Sequence, residues 1–198
     1  MNTKQYFIKE NYTPRKEEIY FDDRENTDLF QNEVYYQAKQ IFKNNKMSSV
    51  LDIGCGSAFK LLKYFQDFDT CGIDLTKTVN FLKDKYPNRT WLDHNIENQL
   101  EYQSDMVIAS DIIEHLYDPD ILLSFINGIE FKVAVISTPE RDITRGINHQ
   151  GPPNNIHHIR EWNTNELYNY ISSQFKVITH ELIQKNKQNT QFITFSKQ

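Results

Sequence analysis

The stretch Ser49–Ile53 runs directly into Gly54-Cys55-Gly56, and behind it Ala58, Leu61, Leu62 and Phe65 fall at helical spacing. A short β-rich run, a glycine turn and a helix face in that order describe a strand feeding a helix through a tight loop. A parallel strand cannot be closed by a hairpin, so a chain that starts this way is committed to crossovers and layered packing.

The rest of the chain follows that commitment. Thr70–Leu75 reads as a second strand, and Val79, Leu82 and Tyr86 mark the next helix. Thr90–Leu92, Asp105–Ala109 and Phe131–Ile136 read as three further strands. Asp118-Pro119 opens a helix that reaches about Asn127, as a cap followed by a first-turn proline does. Asn163 and Glu166 form a capping-box pattern for a helix to about Ser173. Lys176–Ile183 and Gln191–Phe195 read as an antiparallel pair joined by the polar turn Gln184–Thr190. Ahead of all this, Phe30, Val34, Ala38, Ile41 and Phe42 predict a helix near 28–43. The expectation is an α/β domain over 28–198, preceded by a polar and aromatic arm over 1–27 that packs on the domain or lids it. Its sheet is doubly wound and mostly parallel, with helices on both faces and an antiparallel closing hairpin. In such sheets ligands bind beyond the carboxyl ends of the strands.

Composition narrows the function. The 198 residues carry 22 Lys+Arg against 27 Asp+Glu, a formal net charge of −5. That counts against a polynucleotide as partner without removing it. No run approaches the length of a membrane span. Cys55 and Cys71 make neither a CxxC pair nor a disulfide framework, which suits a cytoplasmic chain with reduced thiols.

The strand tips carry the candidate ligand groups. A dinucleotide fingerprint needs a third glycine where Phe59 stands, and no phosphate-loop Gly-Lys-Ser/Thr follows. Asp52 makes the turn acidic, which favours a cationic or hydroxyl-rich ligand over a pyrophosphate. Asp74, ending the second strand, can accept both hydroxyls of a ribose. Asn95 follows the third strand and can bond an adenine edge, with Leu75 and Ile96 flanking the ring. Singly, these also read as a turn glycine, a surface acid and a loop asparagine. Their register after successive strands is what joins them.

In this combination the chain resembles the class I S-adenosylmethionine-dependent methyltransferases over roughly residues 28–198. The resemblance implies a Rossmann-like, seven-stranded fold. It also implies S-adenosylmethionine as cofactor, seated on Asp52, Gly54, Gly56, Asp74, Leu75, Asn95, Ile96 and Ser110.

The fourth strand runs into Ser110-Asp111-Ile112-Ile113-Glu114-His115. On one helical turn Asp111, Glu114 and His115 would share a face and form half of a divalent-metal site. Alternatively, His115 is a lone general base, or Glu114 and His115 merely cap backbone groups. The segment 138–163 holds Pro139, Pro152, Pro153, His149, His157, His158, Arg141, Arg145, Arg160 and Trp162 with no helix or strand pattern. So long a patternless stretch reads as a functional lid over the fourth-strand site. Its arginines either bind an anionic group of the substrate or pair with Glu140, Asp142 and Glu161. The aromatic arm residues Tyr6, Phe7, Tyr12, Tyr20 and Phe21 either stack on sugar faces or cover the domain.

Asp111-x-x-Glu114-His115 followed by His158-Ile159-Arg160-Glu161-Trp162 resembles the metal-dependent small-RNA 3′-end 2′-O-methyltransferases. The surroundings of Glu114-His115 are also similar to ubiquinone-pathway O-methyltransferases. The lid, from Ser137-Thr138-Pro139 through Trp162, resembles small bacterial and viral methyltransferases of glycan sugars. The implied metal ligands are Asp111, Glu114, His115 and His158, with Mg or Mn as the ion. Asp111 departs from the family's glutamate by one methylene, and spacing does not separate His157 from His158. The expected activity is methyl transfer to a sugar hydroxyl of a glycan or glycan precursor, with Glu114, His115 and His158 in the chemistry. RNA and quinone-like acceptors are the alternatives, and a non-catalytic donor-binding module is a further one.

Overall fold

The structure, a computed structural model, describes residues 6–24, 30–185 and 188–198. Seven strands form one sheet in the order β3-β2-β1-β4-β5-β7-β6. They are β1 (Ser49–Ile53), β2 (Asp69–Asp74), β3 (Thr90–Asp93), β4 (Met106–Ser110), β5 (Val133–Pro139), β6 (Lys176–Lys185) and β7 (Gln188–Ser196). β1 pairs in parallel with β2 and β4, β2 with β3, and β4 with β5. β7 pairs antiparallel with both β5 and β6.

The two faces of the sheet explain the apolar runs. Leu51, Ile53, Val107, Ala109, Ala134 and Ile136 point into one core layer. Their alternates Val50, Met106, Ile108 and Val135 point into the other. Strands covered on both faces need no polar alternation. Three helices, α1 (Asn32–Asn44), α2 (Phe59–Phe65) and α3 (Thr76–Lys85), supply the second layer through Val34, Phe42, Leu61, Phe65, Val79 and Leu82. On the opposite face α4 (Asp120–Gly128) and α6 (Thr164–Ser172) bring Leu122, Phe125, Leu167 and Ile171. Among the described residues, no helix is long and apolar enough to cross a membrane.

Several sequence boundaries shift for local reasons. The first helix begins at Asn32, not near 28, and residues 28 and 29 lie outside the described residues, as do 1–5 and 25–27 of the arm. α4 begins at Asp120, and Asp118 Oδ1 accepts from the Asp120 amide at 3.1 Å. β5 starts at Val133 and runs on to Pro139, because its last three residues pair with Thr190, Gln191 and Phe192 of β7. The final hairpin is longer than expected, with β6 reaching Lys185 and β7 starting at Gln188; positions 186 and 187 of the expected turn lie outside the described residues. The capping box at α6 forms as expected, Asn163 and Glu166 exchanging bonds at 2.9 Å.

The segment 138–163 is the main departure. It contains a short helix, α5 (Arg141–Arg145), and its second half is buried from His158 through Trp162. Residues 158–162 are thus built into the domain, while most of 143–156 is exposed. The arm is stitched to this segment: the Thr13 amide donates to Gln150 O at 2.7 Å, the Arg15 amide to Ile159 O at 2.8 Å, and Trp162 Nε1 to Tyr6 O at 3.0 Å.

Candidate active site

The strand order reverses between β1 and β4, so a crevice opens at the carboxyl ends of these central strands. The Gly54–Gly56 turn, the end of β2 at Asp74, the segment after β4 and the end of β5 all meet there. Gly54 and Gly56 have φ of 68° and 52°, in the region that only glycine enters without strain. The turn is tied to the tip of β2: Gly54 N donates to Ile73 O at 2.8 Å, and Gly56 N to Asp74 Oδ2 at 2.9 Å. Asp74 Oδ1 accepts from the Leu75 amide at 2.7 Å. Two backbone amides thus fix the carboxylate at the place expected for a ribose, although burial pushes its pKa upward. Leu75 is 51% exposed beside it, an apolar wall open to a ligand.

The other donor residues are placed less simply. Asp52 is fully buried beneath the turn, with both oxygens within 3.0 Å of the Tyr35 hydroxyl. Burial pushes its pKa up to about 7, against the opposing hydrogen bond from Tyr35. Asn95 is exposed, and its amide is used locally: Oδ1 accepts from the Glu97 amide and Nδ2 donates to Glu97 Oε2, each at 3.0 Å. Ile96 is half-buried next to it. Ser110, expected at the cofactor, ends β4 and its side chain is engaged within the protein. It is buried, its hydroxyl lies 2.8 Å from that of Ser137, and Ser137 Oγ donates to Asp111 Oδ1 at 2.7 Å. Ser110 therefore props the residue after β4 from below. The arm also reaches this end of the crevice. The Asp23 carboxylate lies against Gly56 Cα, and Tyr20 Oη sits 3.4 Å from Thr78 Oγ1. Burial, then the charge of Asp74, pushes Asp23 up to about 6.

In the segment after β4, whose Ile112 side chain lies against Gly54, Glu114 and His115 join His158, each placing a ligand atom within 4.8 Å of the others. Glu114 is fully buried; Oε2 accepts from Thr138 Oγ1 at 2.9 Å, while Oε1 has no hydrogen-bond partner among the described residues. A buried carboxylate oxygen without a partner is costly unless a cation compensates it. Burial, reinforced by Asp111, holds the Glu114 carboxyl well above the usual carboxylate range. His115 Nδ1 lies 2.9 Å from the carbonyl of His157, to which it must donate. Its remaining lone pair is on Nε2, and burial lowers its pKa to about 4, so the ring is neutral near pH 7. His158 Nδ1 lies 2.7 Å from Glu161 Oε1, an acceptor only, which again leaves the lone pair on Nε2. That nitrogen is 2.9 Å from the amide Nδ2 of Asn155. The two imidazoles cross at 87° with centroids 4.8 Å apart. An orphaned carboxylate oxygen, the free Nε2 lone pair of His115 and the Nε2 of His158, which an ion would take over from Asn155 Nδ2, form a donor set that fits a divalent ion.

Two sequence readings change here. Asp111, Glu114 and His115 do not share a helical turn: the 3-10 turn spans only Ile113–His115, and Asp111 precedes it with φ of 53°. Asp111 stands outside the trio, its Oδ1 taken by Ser137. Of the adjacent histidines, His158 joins the trio, whereas His157 faces the arm, its Nδ1 3.0 Å from Ile19 O and its ring 5.0 Å from that of Phe21.

The arginines of segment 138–163 are engaged within the fold. Arg141 is fully buried and makes a bidentate pair with Glu166 at 2.6 and 3.0 Å. Arg145 pairs with Glu161 at 3.1 Å, and Arg160 donates to the carbonyls of Leu116 and Tyr117. The salt-bridge reading of the lid holds for Asp142 and Glu161, and Glu166 joins as a partner. Sequence reasoning missed the supporting roles of Glu161, Thr138, Tyr35 and Arg15. Only Glu161 had a local signal, three residues after His158.

The model of a family described as methyltransferase domain matches residues 28–176. No curated protein matches the chain. Magnesium protoporphyrin IX methyltransferase from Synechocystis PCC 6803, solved with bound SAH, is similar at TM-score 0.67 and 14% identity, over 93% of this chain and 90% of that one. The methyltransferase domain of bacterial CtHen1 is similar at TM-score 0.63 and 18% identity, over 85% and 100%. The glycopeptide N-methyltransferase MtfA is similar at TM-score 0.63 and 11% identity, over 83% and 90%. At such identities the likeness is one of fold.

Proposed function

Because the chain belongs to the methyltransferase-domain family, we propose that it is an S-adenosylmethionine-dependent O-methyltransferase that acts on a sugar hydroxyl with the help of a divalent ion. The observation that carries this reading is the unpartnered, fully buried Glu114 Oε1 grouped with His115 and His158 beside the glycine turn. When bound, the donor supplies an electrophilic methyl on a sulfonium, and the divalent ion supplies acidity to a coordinated alcohol.

The chain's own residues do the rest. Asp74, aimed by the amides of Gly56 and Leu75, accepts the ribose hydroxyls, and Leu75 flanks the base. Glu114 Oε1 and the two Nε2 atoms would hold the ion. Glu161 and the His157 carbonyl keep both rings in the tautomer that puts the lone pair on Nε2, which in His158 accepts from Asn155 Nδ2 until an ion replaces it. The same Nε2 lone pair serves a histidine that takes the alcohol proton instead of ligating. Neighbouring strand tips seat both reactants, which favours in-line attack.

A neutral vicinal diol suits this crevice better than a phosphate. The loop arginines are spent on Glu166, Glu161 and backbone carbonyls. Phe21, 49% exposed, packs on the ring of His157, the neighbour of His158 in sequence, and offers a ring face there. Of the arm's other aromatics, Tyr6 and Tyr12 pack against the core and Phe7 lies against Tyr170, so stacking falls to the Tyr20-Phe21 end.

The test is methyl transfer from S-adenosylmethionine to a panel of glycan precursors, with and without a chelator. The expected result is turnover that the chelator abolishes and Mn2+ restores, with SAH affinity retained throughout. Full turnover in the chelator would overturn the metal-assisted reading, and transfer to RNA alone would overturn the sugar.

A further inference from the structure

We propose that Arg15, in the N-terminal arm, is a positioning residue for the cation site: it clamps the turn that presents His158. The inference rests on the metal reading above and adds to it a residue 143 positions away in sequence from the histidine it serves.

The guanidinium of Arg15 gathers three carbonyls of one turn. Nη2 donates to Pro153 O at 2.6 Å and to Asn155 O at 3.3 Å, and Nε donates to His158 O at 3.2 Å. The Arg15 amide adds a bond to Ile159 O at 2.8 Å. Three carbonyl oxygens facing one point need a donor with several N–H groups in a fixed plane, which a guanidinium provides and an ammonium does not. On the opposite side the same turn is held by Glu114 itself, whose carbonyl accepts from Ile159 N at 2.8 Å. The turn is therefore fixed between the arm and the backbone of a proposed ligand. Within it, Asn155 O accepts from His158 N at 3.2 Å, so a shift of either residue moves the imidazole.

Removing the guanidinium takes the side-chain donor from the carbonyls of Pro153 and His158 and leaves Asn155 O only its bond from His158 N, so the turn loses its clamp on this side. His158 then leaves the distance at which it meets Glu114 and His115, while the glycine turn and Asp74 are untouched. Arg15 touches neither the cation nor the donor, so its effect is on the placement of His158 alone.

The experiment titrates Mn2+ and, separately, SAH into wild type, Arg15→Ala and Arg15→Lys, with thermal unfolding of each. Arg15→Ala is expected to weaken Mn2+ binding by about 10–100-fold, the usual effect of losing a ligand's support. SAH affinity should stay within about twofold, and Arg15→Lys should recover only part of the Mn2+ affinity. Mn2+ affinity in Arg15→Ala equal to wild type overturns the proposal. So does a parallel loss of Mn2+ and SAH binding with early unfolding, which marks a general structural role. If Arg15→Ala does not fold, Arg15→Lys carries the test: weaker Mn2+ with unchanged SAH supports the proposal, and unchanged Mn2+ overturns it. Failure of wild type to take Mn2+ removes the metal reading together with this inference. A wild type that binds Mn2+ with both variants unaffected removes this inference alone.

Discussion

His158 Nδ1 donates to Glu161 Oε1 across 2.7 Å, and Glu161 is itself fully buried and paired with Arg145. The carboxylate fixes the ring's tautomer and its rotation in one contact. Glu161→Gln keeps an acceptor but loses the charge. We expect Mn2+ affinity to fall by about 10–100-fold in this variant with the fold intact. Glu161→Ala leaves Arg145 and His158 without their partner and should cost about 3–5 kcal/mol, measured by urea unfolding.

Glu114→Gln separates stability from ligation. Without a cation, the buried carboxyl is a burden that a neutral amide of the same shape relieves. The variant should unfold at or above the wild-type temperature in chelator, yet take up no Mn2+. A variant that is destabilised and still binds the ion would show that Glu114 is a structural acid.

Arg141 and Glu166 join the start of segment 138–163 to helix α6 through a bidentate pair with no exposed surface on the arginine. Replacing Arg141 by Ala leaves Glu166 buried and unpaired, at a cost of about 3–5 kcal/mol. Chemical denaturation will report it, and a change under about 1 kcal/mol would mean the segment is not locked by this pair.

Asp52 sets a pH dependence of opposite sign to that of a salt-bridged acid. Its folded pKa, about 7, lies above the unfolded value of 3.8, so the native state holds the proton more tightly. This contribution to stability is complete below pH 4 and is lost as pH rises through 7. Asp52→Asn keeps an acceptor for Tyr35 and does not titrate. Wild-type stability relative to this variant should fall between pH 4 and 7, by at most about 1.4 kcal/mol per unit. A flat difference in urea unfolding across that range would contradict the burial argument.

Acceptor binding should depend little on salt, since the three arginines of segment 138–163 are already paired or bonded to backbone. A polynucleotide acceptor would show a steep fall in affinity with salt concentration. Filter binding of single-stranded RNA across a salt series distinguishes the two.

Much of the architecture was legible in the sequence because it is written in short-range patterns. β1 was read at Ser49–Ile53, where it lies, and the Asn163–Glu166 capping box formed as its spacing predicts. Gly54 and Gly56 turn as a strand-to-helix loop requires. The misreadings come from contacts that have no period. Asp111 was placed on a helical face that its positive φ breaks. Arg15 meets a turn more than 130 residues downstream, and nothing in its neighbourhood announces that. The lid looked open because proline, glycine and charge dominate it, yet its charges are buried in pairs.

The central claim is that Glu114, His115 and His158 hold one divalent ion next to a donor seated on the glycine turn. Anomalous diffraction from crystals grown with Mn2+ and SAH tests it directly. The predicted result is a single manganese peak within bonding distance of Glu114 Oε1 and of Nε2 of both histidines, with SAH over Gly54–Gly56. Manganese at another site, or none in crystals that hold SAH, would contradict it.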